Sequence, residues 1–290
     1  MVKLANRSIG LEDFQEYLRS QSDLAFELQI LKILKDENCK CSHGGAYDDP
    51  VSKKTREYDI RAELSTEIFK IKLAIECKNL RPNFPLLVSC IPRTKEEAFH
   101  QVCLGYPGKR TDVSVDKYLG KKISVNTFQF QDSQLYEIGK PVGKSCSQVG
   151  RTLQDKQITS SDSEIYDKWA QALSSSYDLL TEIYKEIEKT NTIGFCFFLP
   201  ILVVPDDRLW EVQFSEIGDA ITNPTIVNRC QYFVGKSFYA KWNWTGHSYT
   251  FSHLEIMTMT GLKNFFQELK RDNNLIAKIF PFLKNNEQET

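Results

Sequence analysis

The chain has 290 residues and a formal net charge of −1, so its overall charge does not mark it as a nucleic-acid or membrane-surface protein. Hydrophobic residues make up 41% and charged residues 26% of the chain, proportions that are typical of globular proteins. It has no run of eighteen apolar residues, which excludes a membrane-spanning helix, and its first residues lack an apolar signal core. We therefore expect a cytoplasmic globular protein with a full hydrophobic core.

At the N-terminal end, Ile9–Lys35 has apolar residues at helical spacing, which predicts one helix or two helices separated near Ser20. Glu27 interrupts the apolar surface of this segment. A carboxylate there is costly to bury unless it meets a partner. Glu27 is therefore a candidate functional residue, and a helix-edge glutamate in contact with water or a lysine is the alternative.

Eight cysteines are scattered along the chain, several of them in apolar segments where a free thiol acts as a small hydrophobe. This distribution predicts a reducing compartment. Cys39, Cys41 and His43 are similar to half of a zinc clip. Because no second pair follows at zinc-ligand spacing, a turn that holds two thiols is the preferred interpretation. Cys41–Pro50 is then a turn and a short first strand.

The segment Arg56–Leu80 contains two runs in which apolar and polar residues alternate, as expected of half-buried strands. The connection at Ser65–Ile68 is too short for a parallel crossover, so an antiparallel hairpin is predicted. The apolar faces are formed by Tyr58, Ile60, Ala62 and Leu64 in the first strand and by Phe69, Ile71, Leu73, Ile75 and Cys77 in the second.

The register of this hairpin follows from the same alternation, because a slip of one residue would bury the charges. A turn centred near Glu67 and Ile68 makes paired residue numbers add to 135. Asp59 then lies opposite Glu76, and Lys78 lies two residues further along the same face. Two opposed carboxylates repel one another, whereas a divalent cation between them reverses the sign of the interaction.

Further along, Leu86–Ile91 is predicted to be a strand and Lys95–Leu104 a short helix. Residues 105–160 show little periodicity and are predicted to form an insertion with one hairpin around Ile123–Phe130. The basic residues between His100 and Ser160 are equally consistent with a phosphate-binding patch and with a solvated face. They are Lys109, Arg110, Lys117, Lys121, Lys122, Lys140, Lys144, Arg151 and Lys156.

The second half of the chain begins with a helix predicted over Asp162–Lys189 and an almost entirely apolar stretch, Thr192–Val204. A continuous apolar run predicts a parallel strand at the centre of a sheet that is covered on both faces. Residues 206–290 are expected to extend the core, with strands at Gln231–Val234 and Leu254–Met259 and a helix at Gly261–Arg271. The aromatic run Phe238–Phe251 favours a half-buried hairpin, and base stacking is the alternative.

The arrangement Asp59, sixteen residues, Glu76, one residue, Lys78 resembles the motif of the PD-(D/E)XK nuclease superfamily, especially its restriction-endonuclease-like members. The resemblance extends to Gly44–Pro50 (GGAYDDP) and to the strands that carry REYDI and IECKN. It covers residues 10–95 well and the remainder loosely. It implies a single α/β domain over residues 1–290, with a restriction-endonuclease-like mixed β-sheet core flanked by helices and an insertion.

The resemblance also implies a chemistry. Asp59, Glu76 and the backbone carbonyl of Cys77 would bind Mg²⁺, or Mn²⁺ in its place, through oxygen ligands. Lys78 would orient a water molecule or stabilise the developing charge, and Glu27 would be an outer or shared ligand. Gln171 is the candidate for a glutamine that some members place beside the site. The implied substrate is DNA, and a homodimer is left open.

Two alternatives come from other classes of protein. One is a catalytically inactive member of the same fold that binds nucleic acid or protein. The other is an ordinary hairpin with a charged face, which predicts that Glu27 lies far from Asp59 and Glu76.

Overall fold

The chain is organised around a large mixed β-sheet, shown by a computed structural model that describes residues 6–20, 22–49, 52–107, 123–153, 156–190, 194–242, 245–271 and 273–286. The helices are α1 (Leu11–Ser20), α2 (Asp23–Asp36), α3 (Ser163–Thr190), α4 (Met259–Arg271) and α5 (Asn273–Ile279), with a final 3₁₀ turn at Pro281–Asn286. The first strands are β1 (Lys40–Asp48), β2 (Thr55–Ser65), β3 (Phe69–Cys77), β4 (Leu86–Pro92), β5 (Phe99–Pro107), β6 (Ile123–Gln131), β7 (Pro141–Arg151) and β8 (Ile158–Ser161). The later strands are β9 (Gly194–Val204), β10 (Leu209–Gln213), β11 (Thr225–Ile226), β12 (Arg229–Trp242) and β13 (Thr245–Thr258).

The main path through the sheet runs β1-β2-β3-β9-β13-β12-β7-β4-β10-β11. Strand β9 is parallel to both of its neighbours on this path, β3 and β13, and most of its residues are buried. The prediction of a central parallel strand at Thr192–Val204 is therefore confirmed. An α/β architecture with a mixed sheet flanked by helices is also confirmed, and its assignment to the restriction-endonuclease-like class stays a prediction. In the part of the chain that the structure describes, no helix is long and apolar enough to cross a membrane.

The β2–β3 hairpin has the predicted register. Ile60 pairs with Ile75 and Glu63 pairs with Lys72, so paired residue numbers add to 135. The apolar face packs against α2, where Ile60 and Cys77 share one buried cluster with Phe26 and Ile30. The alternation in sequence thus determines which side of the hairpin receives this helix.

Tyr58 departs from the face expected for it. Its ring lies 4.2 Å from the guanidinium of Arg61, a residue of the polar face. Gly45, its partner in β1, leaves room for the ring, since a Cβ atom there would lie 2.2 Å from the Tyr58 hydroxyl oxygen. The missing side chain opposite Tyr58 allows the ring to lie across the strand and stack on Arg61.

The polar face of the hairpin is covered by α3, which turns a stripe of polar side chains toward it. The stripe consists of Lys168, Ser175, Asp178, Glu182 and Glu186. Arg61 is 7% exposed, and its guanidinium lies 2.9 Å from the Asp178 carboxylate and 3.3 Å from that of Glu182. Lys70 and Lys72 both pair with Glu186. Opposite charges on the two elements thus allow a charged strand face to be covered by a helix.

Several predicted elements differ from those observed. The predicted helix at Lys95–Leu104 is wrong, because β5 occupies Phe99–Pro107 and pairs with β6 and β9. Pairing with two other strands outweighs the weak local helical pattern. The predicted turn at Cys41 is also wrong, because β1 already begins at Lys40.

The N-terminal segment forms two helices that meet near Ser20, which was one of the two expectations. The predicted aromatic hairpin is confirmed as β12–β13, within which Phe238 and Phe251 are buried. Trp244 lies outside the described residues.

The stretch predicted as an insertion, residues 105–160, contributes strands to the same sheet. Strand β7 lies between β12 and β4, and β8 pairs with β7. Five of the nine basic residues in the predicted patch, namely Lys109, Arg110, Lys117, Lys121 and Lys122, lie outside the described residues. The domain boundaries stay a prediction.

Replacing Arg61 by leucine tests the charged layer between α3 and the hairpin. We expect Arg61→Leu to lower the free energy of unfolding by about 2–3 kcal/mol, because it leaves the Asp178 and Glu182 carboxylates without their buried partner. The measurement is urea denaturation followed by circular dichroism. Lys32→Ala is the control, because Lys32 and Asp36 form an exposed pair. A loss as small as that of the control would contradict the interpretation.

Candidate active site

The carboxylates of Asp59 in β2 and Glu76 in β3 lie side by side, just beyond the paired residues Ile60 and Ile75. One oxygen of Asp59 accepts a hydrogen bond of 2.8 Å from the backbone N–H of Cys77. The backbone N–H of Asp59 in turn lies 3.4 Å from an oxygen of Glu76. These reciprocal contacts follow from the register of the hairpin. The same register confirms the predicted opposition of Asp59 and Glu76.

Lys168 of α3 places its ammonium group between these two acids. Its Nζ lies 2.7 Å from Asp59 Oδ2 and 3.2 Å from Glu76 Oε2. Lys168 was not among the site residues predicted from the sequence. The charged nitrogen of Lys168 thus contacts both carboxylates. It occupies the position between the two acids at which a divalent cation was predicted from the sequence.

Burial changes the pKa values of Glu76 and Lys168. Glu76 is 1% exposed, and its burial, together with the nearby carboxylate of Asp59, raises its pKa from 4.5 to about 8. Burial by itself would lower the pKa of Lys168, but the carboxylates of Glu76 and Asp59 raise it above the ordinary lysine value. Lys168 is therefore charged near neutral pH, and Glu76 is the acid whose ionisation burial makes costly.

Lys78 comes directly after the end of β3, two residues beyond Glu76, and its ammonium contacts other acids. Its Nζ lies 3.3 Å from Glu164 and 3.5 Å from Asp23. These acids belong to the first turns of α3 and α2. Lys78 thus links the first turns of α2 and α3 to the end of β3 through ion pairs.

Glu27 contacts His43 instead of the two acids. The distance from its Oε2 to His43 Nε2 is 2.9 Å, and both side chains are largely buried. Its carboxylate nevertheless affects Cys77, the residue after Glu76 in β3. The pKa of the Cys77 thiol is raised by burial and further by the carboxylates of Asp59, Glu27 and Glu76. The carboxylates of all three acids thus raise the pKa of Cys77, although only Asp59 and Glu76 contact Lys168.

Gln171, the predicted glutamine, lies one helical turn after Lys168. The Tyr47 hydroxyl donates a hydrogen bond of 3.4 Å to its backbone carbonyl. The sequence signal that could have identified Lys168 was the polar stripe on α3, whose residues follow helical spacing and oppose the polar face of the hairpin. The polar stripe identifies Lys168 only when it is known that α3 covers the polar face of the β2–β3 hairpin.

The side chains of Cys41 and His43, two members of the possible zinc clip with Cys39, make contacts within the protein. The Cys41 thiol donates to the Cys39 carbonyl, and His43 pairs with Glu27. Each of these two side chains therefore contacts a protein group. The preferred interpretation, thiols held without a metal, stays a prediction.

Another group of possible metal ligands lies at Cys90, Glu211 and Cys230, whose ligand atoms are within 4.8 Å of one another. The two sulfur atoms are 3.7 Å apart. Thiolates suit soft or borderline metal ions, whereas Mg²⁺ prefers oxygen ligands. This group on β4, β10 and β12 is therefore not the predicted magnesium site.

The residues around Asp59 do fit a hard divalent cation. Two carboxylates and the neighbouring backbone carbonyl of Cys77 are oxygen donors of the kind that Mg²⁺ takes. The contacts of Lys168 demonstrate that both acids can face one cation. Burial and the carboxylate of Asp59 raise the pKa of Glu76, so a further cation beside it would favour its ionised form.

Comparisons with known proteins found no match to a family model, to a curated protein or to a solved structure.

Glu76→Gln tests the electrostatic state of the site. Glu76 ionises near 4.5 in the unfolded chain and near 8 when folded, so the folded chain holds the additional proton between these values. Its contribution to stability therefore falls as pH rises from about 5 to 8. Without metal, we expect Glu76→Gln to be more stable relative to the parent at pH 8 than at pH 5, by at least on the order of 1 kcal/mol. Urea denaturation at both pH values measures this, and the exposed Glu57→Gln is the control. An equal difference at both pH values would contradict the assignment.

Lys168→Met tests whether the ammonium occupies a cation-binding position. We expect the variant to be less stable than the parent without metal, because two carboxylates lose their shared counterion. Added Mg²⁺ or Mn²⁺ should raise its melting temperature more than that of the parent, since the ion no longer competes with the lysine. Thermal denaturation over a metal titration measures this, with the exposed Lys185→Met as control. Identical metal responses in the variant and the parent would exclude a metal site between Asp59 and Glu76.

Proposed function

We propose that this protein is a metal-dependent nuclease that hydrolyses phosphodiester bonds in DNA. The observation that carries the proposal is the convergence of Asp59 and Glu76 on one cationic nitrogen, with Lys78 two residues further along the chain. Paired carboxylates beside a lysine at the end of a strand supply the groups that phosphodiester hydrolysis requires. The resemblance to restriction-endonuclease-like proteins supports the same reaction class and DNA as the substrate.

Asp59, Glu76 and the Cys77 carbonyl would hold Mg²⁺, or Mn²⁺ in its place. Such an ion supplies an activated water molecule and neutralises negative charge on the scissile phosphate. For the residues of the chain, the requirement is that Glu76 loses its proton and that Lys168 leaves the position between the acids. The raised pKa of Glu76 makes this exchange more favourable in mildly alkaline solution.

The two lysines then have distinct roles. Lys168, displaced from the acids, remains tethered beside them on α3 and can stabilise charge on the phosphate oxygens. Lys78 is partly buried and paired with Asp23 and Glu164, so it positions the strand end and can contact a phosphate that displaces one of these acids. Glu27, held by His43, adds negative charge on the Cys77 side and is proposed as an outer ligand.

One observation favours a second candidate function. The Lys168 ammonium already contacts Asp59 and Glu76 from within the protein, and the raised pKa of Glu76 keeps this acid protonated near neutral pH. The folded chain therefore does not need a metal ion at this position. A member of the same fold that binds nucleic acid or protein without cutting would have this arrangement. The two candidates differ in whether a divalent cation displaces Lys168.

DNA cleavage tests the proposed reaction. Purified protein with supercoiled and linear DNA should cut in Mg²⁺ or Mn²⁺ and not after chelation. Asp59→Asn and Lys78→Ala should lower the rate by a factor of roughly 100 or more, as expected when a group acting in the transition state is removed. The exposed Glu57→Gln should retain the parent rate.

Equal cleavage by the parent and by Asp59→Asn would mean that a contaminant acts, and it would contradict the proposed site. DNA binding without cleavage, equally strong in the parent and in Asp59→Asn, would instead support the inactive candidate.

A further inference from the structure

A pocket of about 480 Å³ opens next to the candidate active site and shares Lys78 with it. Its walls come from α1, from the loop after β3, from β7 and β8 and from the start of α3. Its volume falls within the range of about 300–1,000 Å³ that is typical of small-ligand sites. The side chains that matter for its chemistry are Tyr17, Lys78, Arg81, Asn83, Phe84, Gln148, Arg151 and Glu164.

The pocket is positively charged although the protein as a whole is not. It contains three cations, Lys78, Arg81 and Arg151, against the single carboxylate of Glu164. In the part of the chain that the structure describes, Arg81 has no ion-pair partner, and the side-chain contact of Arg151 is a 2.8 Å hydrogen bond to the backbone carbonyl of Lys156. Two guanidinium groups are thus left to neutralise an anionic ligand, and phosphate matches their geometry.

The remaining wall is suited to a flat heterocycle. Phe84 lies on it because Gly150 leaves the space, since a Cβ atom at Gly150 would lie 2.6 Å from the Phe84 ring. Tyr17 is half exposed on α1. The side-chain amide of Asn83 offers both a donor and an acceptor beside these rings. Aromatic faces with nearby amides are the means by which proteins hold an unstacked base.

We propose that this pocket binds one unstacked nucleotide of the DNA substrate, with its phosphate at Arg81 and Arg151 and its base against Phe84 and Tyr17. This inference rests on the proposed nuclease function and adds a substrate preference to it. A base inside a duplex cannot reach such a pocket, so the nucleotide must come from a single strand or be rotated out of the helix. The pocket shares Lys78 with the catalytic site, so the bound nucleotide lies close to the bond that is cut.

The experiment uses the full chain carrying Asp59→Asn, so that DNA is bound without being cut, and oligonucleotides with one 2-aminopurine in single-stranded and duplex form. We expect 2-aminopurine fluorescence to respond to binding and single strands to bind more tightly than duplexes. Phe84→Leu should weaken single-strand binding by a factor of roughly 10 and abolish the fluorescence response, whereas Phe84→Tyr should retain both. Arg81→Ala should weaken binding and lower the slope of its salt dependence by the amount expected for about one phosphate contact. The exposed control Lys95→Ala should change neither quantity.

Melting temperatures close to that of the parent establish that the variants are folded. Weaker binding by Arg81→Ala with an unaltered fluorescence response in Phe84→Leu would mean a contact to the phosphate alone and would overturn the nucleotide pocket. Equal effects of Arg81→Ala and Lys95→Ala would overturn it as well. Cleavage by the parent without any 2-aminopurine response refutes the pocket and leaves the nuclease intact. A response without cleavage by the parent supports the pocket and refutes the nuclease.

Discussion

The structure depends on the layer of charges between the polar face of the β2–β3 hairpin and helix α3. Arg61 is enclosed there by Asp178 and Glu182, and Lys72 by Glu63 and Glu186. Each buried charge must meet an opposite one, because an unpaired ion away from water costs several kcal/mol. This requirement fixes where α3 lies along the hairpin. It also brings Lys168, which belongs to the same stripe, to the end of the strands.

The same layer explains why Asp59 and Glu76 can lie so close together. At the other end of the interface the charges are balanced within the protein, whereas here two acids share one lysine and Glu76 holds its proton up to a pKa of about 8. Stability and the proposed function are therefore coupled at this point. A bound divalent cation would replace Lys168 as the counterion, so metal affinity, the ionisation of Glu76 and the position of α3 are linked by the same set of charges.

The charge of individual regions of this protein differs from its overall net charge. The net charge of −1 conceals a pocket in which three cations face one carboxylate, immediately beside a group of acids. Lys78 belongs to both regions and is held by Asp23 and Glu164 at the starts of two helices. A substrate with a phosphate backbone and exposed bases would meet the proposed anion-binding wall and the proposed cation-binding site next to each other, and Lys78 would connect them.

Amino-acid patterns alone were enough to predict the β2–β3 hairpin, its register, the opposition of Asp59 and Glu76, the central strand β9 and the β12–β13 hairpin. These features follow from alternation within one or two neighbouring segments, so the information is local. Only the tertiary structure placed Lys168, which lies 109 residues from Asp59, and only it turned Lys78 toward Asp23 and Glu164. It also decided that β5 is a strand and that β7 lies inside the sheet, because partners distant in sequence outweigh weak local patterns. The pairing of a charged helix stripe with a charged strand face depends on which helix covers that face, and periodicity in the chain does not specify this.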